Sequence, residues 1–261
     1  IMFFKDVGHS QEGAQEVSKL LDGGFFSGPK PQRLMQRLLT LANLKADSVV
    51  LDFFSGSAST AHAVMSKNAE DGGHRKFIMV QLPEECDEQS EAYKAGYKNI
   101  CEIGKERIRR AGDKIKSESP LTTQDLDIGF RVLKLDDTNM KDVYYAPDDY
   151  DQGMLAALES NIKEDRTDLD LLFGCLLEWG LPLSMPYTSE EISGCTVHTY
   201  NDGDLIACFD ENIPDEVVKT IAKRQPLRAV FRDSSFNGSP AKINVTEVFK
   251  LLAPDTRVKV I

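Results

Sequence analysis

A chain of 261 residues with 41% hydrophobic and 28% charged side chains has the apolar material for one large core or two ordinary ones, which excludes global disorder. Its net charge of −11 is unevenly shared, −2 on residues 1–127 and −9 on residues 128–261, so the second half is a poor candidate for the main nucleic-acid surface. No apolar run approaches a membrane span, the amino end lacks a signal-peptide pattern, and five cysteines without a C-x-x-C pair indicate neither a disulfide framework nor a zinc site, so the expected compartment is the cytoplasm.

Residues 5–24 mix charge and glycine with a weak helical period through Ala14, Val17, Leu20 and Leu21, which predicts a loop and one short helix. His9, within the polar segment Val7-Gly-His-Ser-Gln-Glu-Gly13, reads as exposed or loop-bracing. In Phe25-Phe-Ser-Gly-Pro-Lys-Pro-Gln-Arg33, Pro29 and Pro31 pin Lys30 in an extended conformation ahead of a helix carrying Leu34, Leu38 and Leu41. A lysine placed that way contacts a carboxylate or nucleic acid, or is a solvated charge in a helix-entry turn; the local sequence favours the second.

The stretch Ser48 to Met65 organises the chain. Val49 to Leu51 reach an acid at Asp52, the chain turns through Phe53 to Ala58, and a helical spacing begins with Ala61, Val64 and Met65. This is strand, small-residue turn, helix, the place where open α/β sheets bind ligands. The turn has no G-x-G-x-x-G and no Lys-Ser/Thr pair, and an acid at the strand end would repel a phosphate. It suits a ligand carrying positive charge and an ammonium, the chemistry of S-adenosylmethionine, and disfavours an NAD-dependent dehydrogenase.

After the loop Glu70 to His74, Lys76 to Leu82 predict a second parallel strand reached by a right-handed crossover, with Gln81 and Glu84 as candidates for ribose hydroxyls at its end. A helix follows with Tyr93, Tyr97, Ile100, Cys101, Ile103, Gly104, Ile108 and Ala111 on its buried face. Lys105, Arg107, Arg109 and Arg110 gather towards its end, either complementing the helix dipole or forming a phosphate patch. Residues 113–127 read as a polar linker and domain boundary.

Beyond it the sequence predicts a strand at Phe130–Leu135 and a helix near Met154–Ile162. An amphipathic helix then presents Leu169, Leu172, Phe173, Leu176 and Leu177. A hairpin of Thr196–Tyr200 and Leu205–Phe209 turns at Asn201-Asp-Gly-Asp204. A helix at about Asp215–Lys223, a strand at Leu227–Phe231, a helix near Lys242–Leu252 and a strand at Val258–Ile261 complete a small mixed α/β domain without a visible catalytic constellation. Ser184-Met-Pro-Tyr187 is one residue away from the Ser-Pro-Pro-Tyr form of a motif that holds an extruded base; with Met185 in place of a proline the loop loses its stiffness, and a structural turn is expected.

Together, Pro29-Lys-Pro31, the run Asp52 to Met65 and Phe77-Ile-Met-Val-Gln-Leu-Pro-Glu84 closely resemble the carboxyl-terminal part of Mod subunits, the DNA-methylating subunits of type III restriction-modification systems. These look like β-class N6-adenine methyltransferases, whose catalytic motif precedes the cofactor motifs. The likeness extends over Val7–Gly13, Tyr93–Lys114 and the acidic second domain. It implies an α/β fold: residues 1–120 as the carboxyl-terminal half of a Rossmann-like S-adenosylmethionine methyltransferase domain, then residues 128–261 as a small mixed α/β domain for assembly or partner docking.

By the same resemblance Lys30 matches motif X, and Asp52, Phe53, Phe54, Ser55, Gly56, Ser57 and Thr60 fall in motif I, with Asp52 facing the methionine ammonium. Gln81 and Glu84 match the end of motif II. Ala58 stands where the broader pattern has glycine, which is tolerated if it keeps a negative φ. Gln81 stands where many relatives place the ribose-binding acid. The resemblance also implies double-stranded DNA as substrate, a restriction helicase-nuclease subunit and a second copy of the chain as partners, and no metal. No intact Asp-Pro-Pro-Tyr is present; it is expected upstream of Ile1, which would leave this chain inactive by itself. The alternative is a non-catalytic assembly module with a vestigial nucleotide-binding fold.

Overall fold

The computed structural model describes residues 2–141, 161–236 and 239–261. The mixed α/β chain divides into two compact units, Ile1–Phe130 and Arg131–Ile261.

The front unit runs α1 (Phe4–Val7), α2 (Ser10–Leu21), α3 (Gln32–Leu41), β1 (Val49–Asp52), α4 (Ser59–Asp71), β2 (Lys76–Met79), α5 (Glu91–Lys94) and α6 (Ile100–Glu118). Residues 5–24 thus hold helical structure on both sides of His9, which caps α2: its Nδ1 accepts from the Glu12 N–H at 3.1 Å. The helix expected to carry both Tyr93 and Ala111 is broken. Gly96, at φ +100°, follows α5, and the Asn99 side chain caps α6 by accepting from the Glu102 N–H at 3.2 Å. α6 then continues into the expected linker as far as Glu118, because Ile115 extends its apolar face onto Met65, Ile108 and Ala111.

β1 and β2 pair in parallel from Val49↔Lys76 to Asp52↔Met79. On one face Val50 packs with Leu39, Ala63 and Val64, while Phe77 and Met79 pack with Ala61, Met65 and Ile108. The other face is open: Val49 is 56% exposed, Leu51 49%, Ile78 50% and Val80 45%. Parallel sheets ordinarily have both faces covered.

The back unit runs α7 (Asp168–Glu178), β3 (Tyr187–Ile192), β4 (Cys195–Tyr200), β5 (Leu205–Cys208), α8 (Asp215–Lys223), β6 (Arg228–Phe231), α9 (Ser239–Leu252) and β7 (Arg257–Val260). Its sheet has the order β3-β4-β5-β6-β7, with β3-β4 and β4-β5 antiparallel and β5-β6 and β6-β7 parallel. Val197, Ile206, Cys208 and Phe231 face α8 and α9, whereas Tyr200, Leu205, Phe209 and Val230 face α7. Both faces are covered.

The hairpin, the helix after it and the last strand stand within a residue or so of their expected bounds, and α9 starts earlier. The strand expected at Phe130–Leu135 does not form: those residues are irregular, with Val132, Leu133 and Leu135 exposed. Conversely, β3 exists because Tyr187 to Ile192 pair along β4 from Tyr187↔Tyr200 to Ile192↔Cys195. α7 is rotated from the expected face, burying Leu171, Leu172, Cys175 and Leu176 and leaving Leu169 and Leu177 exposed. The helix expected near Met154–Ile162 lies, up to residue 160, outside the described residues.

Candidate functional site

β1 delivers Asp52 to the carboxyl end of the two-stranded sheet, half-buried, and the chain turns through residues 53–58 into α4. Asp52 is held twice. Its Oδ2 accepts from the Thr60 hydroxyl at 2.6 Å, and its Oδ1 from the Phe54 N–H at 3.2 Å. Each carboxylate oxygen keeps a lone pair for a ligand, so the acid is oriented without being saturated. Phe53 and Phe54 are exposed beside it.

The turn contains left-handed residues at Gly56, φ +51°, and Ala58, φ +58°. Glycine adopts this region freely; for alanine it costs on the order of 1 kcal/mol. The condition set by the sequence, a negative φ at Ala58, is therefore not met, and the conformation must be held from outside.

Three segments hold it. From the residues that follow β2, Gln81 Oε1 accepts from the Gly56 N–H at 2.7 Å, and the Val80 carbonyl accepts from the Ser55 N–H at 3.2 Å. The Gln81 amide nitrogen donates to the Leu82 carbonyl at 3.2 Å, so this side chain braces the turn from within the protein. From the Pro-Lys-Pro segment, the Lys30 carbonyl accepts from the Ser59 hydroxyl at 3.0 Å, while the Lys30 side chain is exposed between buried Pro29 and Pro31. That segment rests on Gly13 of α2, where an added Cβ would lie 2.2 Å from the Pro29 carbonyl oxygen. From α6, Gly104 approaches closely enough that a Cβ there would lie 3.1 Å from the Gly56 carbonyl oxygen.

One turn further along α6, Arg107 is wholly buried, with Nη1 2.8 Å from Ser57 Oγ and 2.7 Å from Ser59 Oγ. This corrects the reading of the basic residues on α6 as a dipole complement or phosphate patch. Lys105, Arg109 and Arg110 pair at the surface with Glu102, Glu106 and Asp22, but Arg107 points inward. The signal was in the sequence: Arg107 lies four residues from both Ile103 and Ala111, on the apolar stripe. Nearby, burial and then the Arg107 charge push the His62 imidazole down to about 3.

The predicted residues therefore come together unevenly. Asp52, Phe54 and Thr60 touch directly, Gly56 joins Gln81, Ser57 is bound from beneath, and Lys30 contributes its carbonyl. Glu84 is exposed past β2, where its backbone bonds Leu82 and Ile100.

In the back unit, Cys195, Cys208 and Asp210 bring their ligand atoms within 4.8 Å of one another. Burial pushes the Cys208 thiol up to about 12 and raises that of Cys195, and Asp210 Oδ2 already accepts from the Thr196 N–H. Both cysteines lie in the apolar core between the sheet and its helices. His198, buried, has Nδ1 2.8 Å from Ser189 Oγ and Nε2 3.3 Å from Asp168 Oδ2, a brace between β3, β4 and the start of α7. Ser184 to Tyr187 form a structural turn: the Met185 N–H donates to Tyr200 Oη at 3.0 Å, and the Tyr187 ring packs edge-on to Phe173 at 6.2 Å.

Residues 3–109 match a family model described as DNA methylase. The chain is 43% identical over 129 residues, 49% of its length and 19% of the relative's, to the Mod subunit of the type III restriction-modification enzyme StyLTI of Salmonella typhimurium. It is 28% identical over 254 residues, 91% of its length and 36% of the relative's, to the EcoPI Mod subunit of Escherichia phage P1. Over 105 residues, 40% of this chain and 25% of the relative, it is 30% identical to the type II methyltransferase M.KpnI of Klebsiella pneumoniae. The chain thus spans between 19% and 36% of the length of these relatives.

Proposed function

We propose, taking as premise that this chain is Mod-like, that it is the cofactor-binding portion of an adenine-N6 DNA methyltransferase of a type III restriction-modification system. The observation that carries this reading is Asp52, fixed at the end of β1 by Thr60 and the Phe54 N–H beside a turn of small residues and the α4 N-terminus. A carboxylate with spare lone pairs, and no lysine in the turn, fits S-adenosylmethionine and not a polyphosphate.

In this reading Asp52 takes the methionine ammonium, and the Ser55–Ala58 turn admits the amino-acid end of the cofactor. When bound, S-adenosylmethionine supplies an activated methyl group on sulfur, and the adenine exocyclic amine is the acceptor. The residues present here bind and orient. The Gln81 carbonyl is engaged with Gly56 and one amide hydrogen with Leu82, which leaves Glu84 and the remaining Gln81 amide hydrogen as candidates for the ribose. The motif that holds the extruded base is proposed to come from sequence outside these residues, and with it most contacts to double-stranded DNA. The names of the Mod relatives support association with a restriction subunit; self-association and a cytoplasmic location belong to the same proposal. Among the described residues no helix is long and apolar enough to cross a membrane.

The open apolar face of β1 and β2 supports treating residues 1–120 as part of a larger Rossmann-like domain. It also favours a second reading, an assembly module whose pocket no longer binds. Calorimetric titration with S-adenosylmethionine and with NAD, on the parent and on Asp52→Ala, separates the two. The expected result is binding of S-adenosylmethionine alone, weakened at least about tenfold in the variant, as loss of a charge-assisted contact implies. Absence of binding, or equal binding in the variant, would favour the assembly module.

A further inference from the structure

Beneath the turn lies a guanidinium with no carboxylate bonded to it. Arg107 is 0% exposed, and its Nη1 reaches Ser57 Oγ, Ser59 Oγ and, at 3.4 Å, the Ser57 carbonyl oxygen. Its Nε and Nη2 have no hydrogen-bond partner among the described residues. Glu16, the acid whose charge favours the cation, spends its carboxylate on the Gln32 N–H at 2.8 Å. Burial accordingly pulls the guanidinium pKa down to about 10. A buried cation left this poorly compensated is a costly way to fill space, and an aliphatic side chain would do that better.

The placement of its bonds shows what the charge is used for. Ser57 and Ser59 flank Ala58, the non-glycine residue held at φ +58°. A conformation that an L-residue disfavours persists only where its surroundings over-determine it. The Ser59 hydroxyl is also tied to the Lys30 carbonyl at 3.0 Å, but the one buried nitrogen bonded to both hydroxyls links Ser57 to Ser59 across Ala58 and so fixes the peptide units on each side of it.

We propose that Arg107 is a positioning residue for the cofactor turn, pinning Ser57 and Ser59 so that Ala58 stays left-handed and the turn keeps the shape that accepts the amino-acid end of the cofactor. The ligand in this statement rests on the proposed function; the conformational role does not. A lysine in its place keeps the charge, but a shorter flexible stem ending in a freely rotating ammonium does not hold one nitrogen at the point where the rigid guanidinium places Nη1 between both hydroxyls. Glycine at position 58, by contrast, removes the need for the pin.

The test is amide hydrogen exchange at Gly56, Ala58 and His62, whose N–H groups bond to Gln81 Oε1, the Ser55 carbonyl and the Ala58 carbonyl. It is run on the whole chain as parent, Arg107→Lys, Ser57→Ala, and Arg107→Lys with Ala58→Gly, with S-adenosylmethionine titrations in parallel. The expected result for Arg107→Lys is exchange at those amides faster by about tenfold or more, with the α2 amide of Val17 and the α3 amide of Leu39 within about twofold of the parent. Adding Ala58→Gly should return the turn amides to within about threefold and restore the cofactor affinity lost in the single variant.

Unchanged turn amides, acceleration spread evenly over the front unit, or failure of Ala58→Gly to restore protection would each overturn the proposal and leave Arg107 as a packing element. If Arg107→Lys does not fold, Ser57→Ala carries the same comparison with the arginine and the Ser59 bond to Lys30 in place. A parent chain that binds no S-adenosylmethionine would sink the cofactor reading, and the exchange result would still decide the role of Arg107.

Discussion

The two units solve the same problem, a sheet with apolar faces, in opposite ways. In the back unit, α8 and α9 cover one face of the five-stranded sheet and α7 covers the other, so Phe231 and Val230 are both wholly buried although they point in opposite directions. In the front unit, helices cover one face of β1 and β2, and Val49, Leu51, Ile78 and Val80 stand in solvent on the other. The back unit is closed around its own core. The front unit places on its well-packed side a turn that presents Asp52, and leaves its other side open.

The largest effect should come from opening the closed unit. Phe231→Ala removes a ring packed edge-on against Phe236 at 5.4 Å and Phe249 at 6.0 Å, and should cost about 3–5 kcal/mol. Trp179, the sole tryptophan, lies in the back unit, so its fluorescence in a denaturant titration reports this loss. An unmoved transition would mean that the sheet is less closed than its packing implies.

The counterpart in the front unit is Gly13→Ala, which drives a methyl into the Pro29 carbonyl; about 2–3 kcal/mol is expected, read as faster amide exchange in α2 with the Trp179 transition in place. Acid should separate the units next. His62 titrates near 3 when folded against 6.5 when unfolded, so the unfolded chain binds the proton more tightly. Its contribution is full above 6.5 and is lost progressively as pH falls towards 3. Between pH 7 and pH 5 the front unit should lose about 2 kcal/mol, and His62→Gln should flatten that slope in urea titrations followed by exchange. The smallest effect belongs to the open face: Leu51→Gln should change stability by less than about 0.5 kcal/mol, whereas a shift of 2 kcal/mol would show the face to be covered in solution.

Much of this was legible in the sequence where the chemistry is local. The change from strand to helical period around Asp52 and the two prolines around Lys30 mark the site because each constraint acts on neighbours in the chain. What escaped was set by packing between distant segments. The sequence offers Gln81 as a ribose candidate but does not show that its side-chain carbonyl accepts from the Gly56 N–H, a contact that depends on β1 and β2 lying side by side. Arg107 was hidden among other basic residues, although its place on the apolar stripe distinguished it. The alternating residues of Phe130–Leu135 read as a strand and pair with no strand among the described residues, whereas Tyr187–Ile192, with Thr, Ser and two Glu in the middle, became one because β4 lay alongside.

The bonds from Arg107 to Ser57 and Ser59 close loops of 50 and 48 residues. A chain made from its amino end therefore completes the β1 turn and α4 well before the arginine that pins them exists. Until α6 has been made and has docked, Ala58 has every reason to relax to negative φ. If Arg107 pins the turn as proposed, a chain interrupted before residue 107 would lack that hold, and the shape of the turn after β1 would depend on the completion of α6.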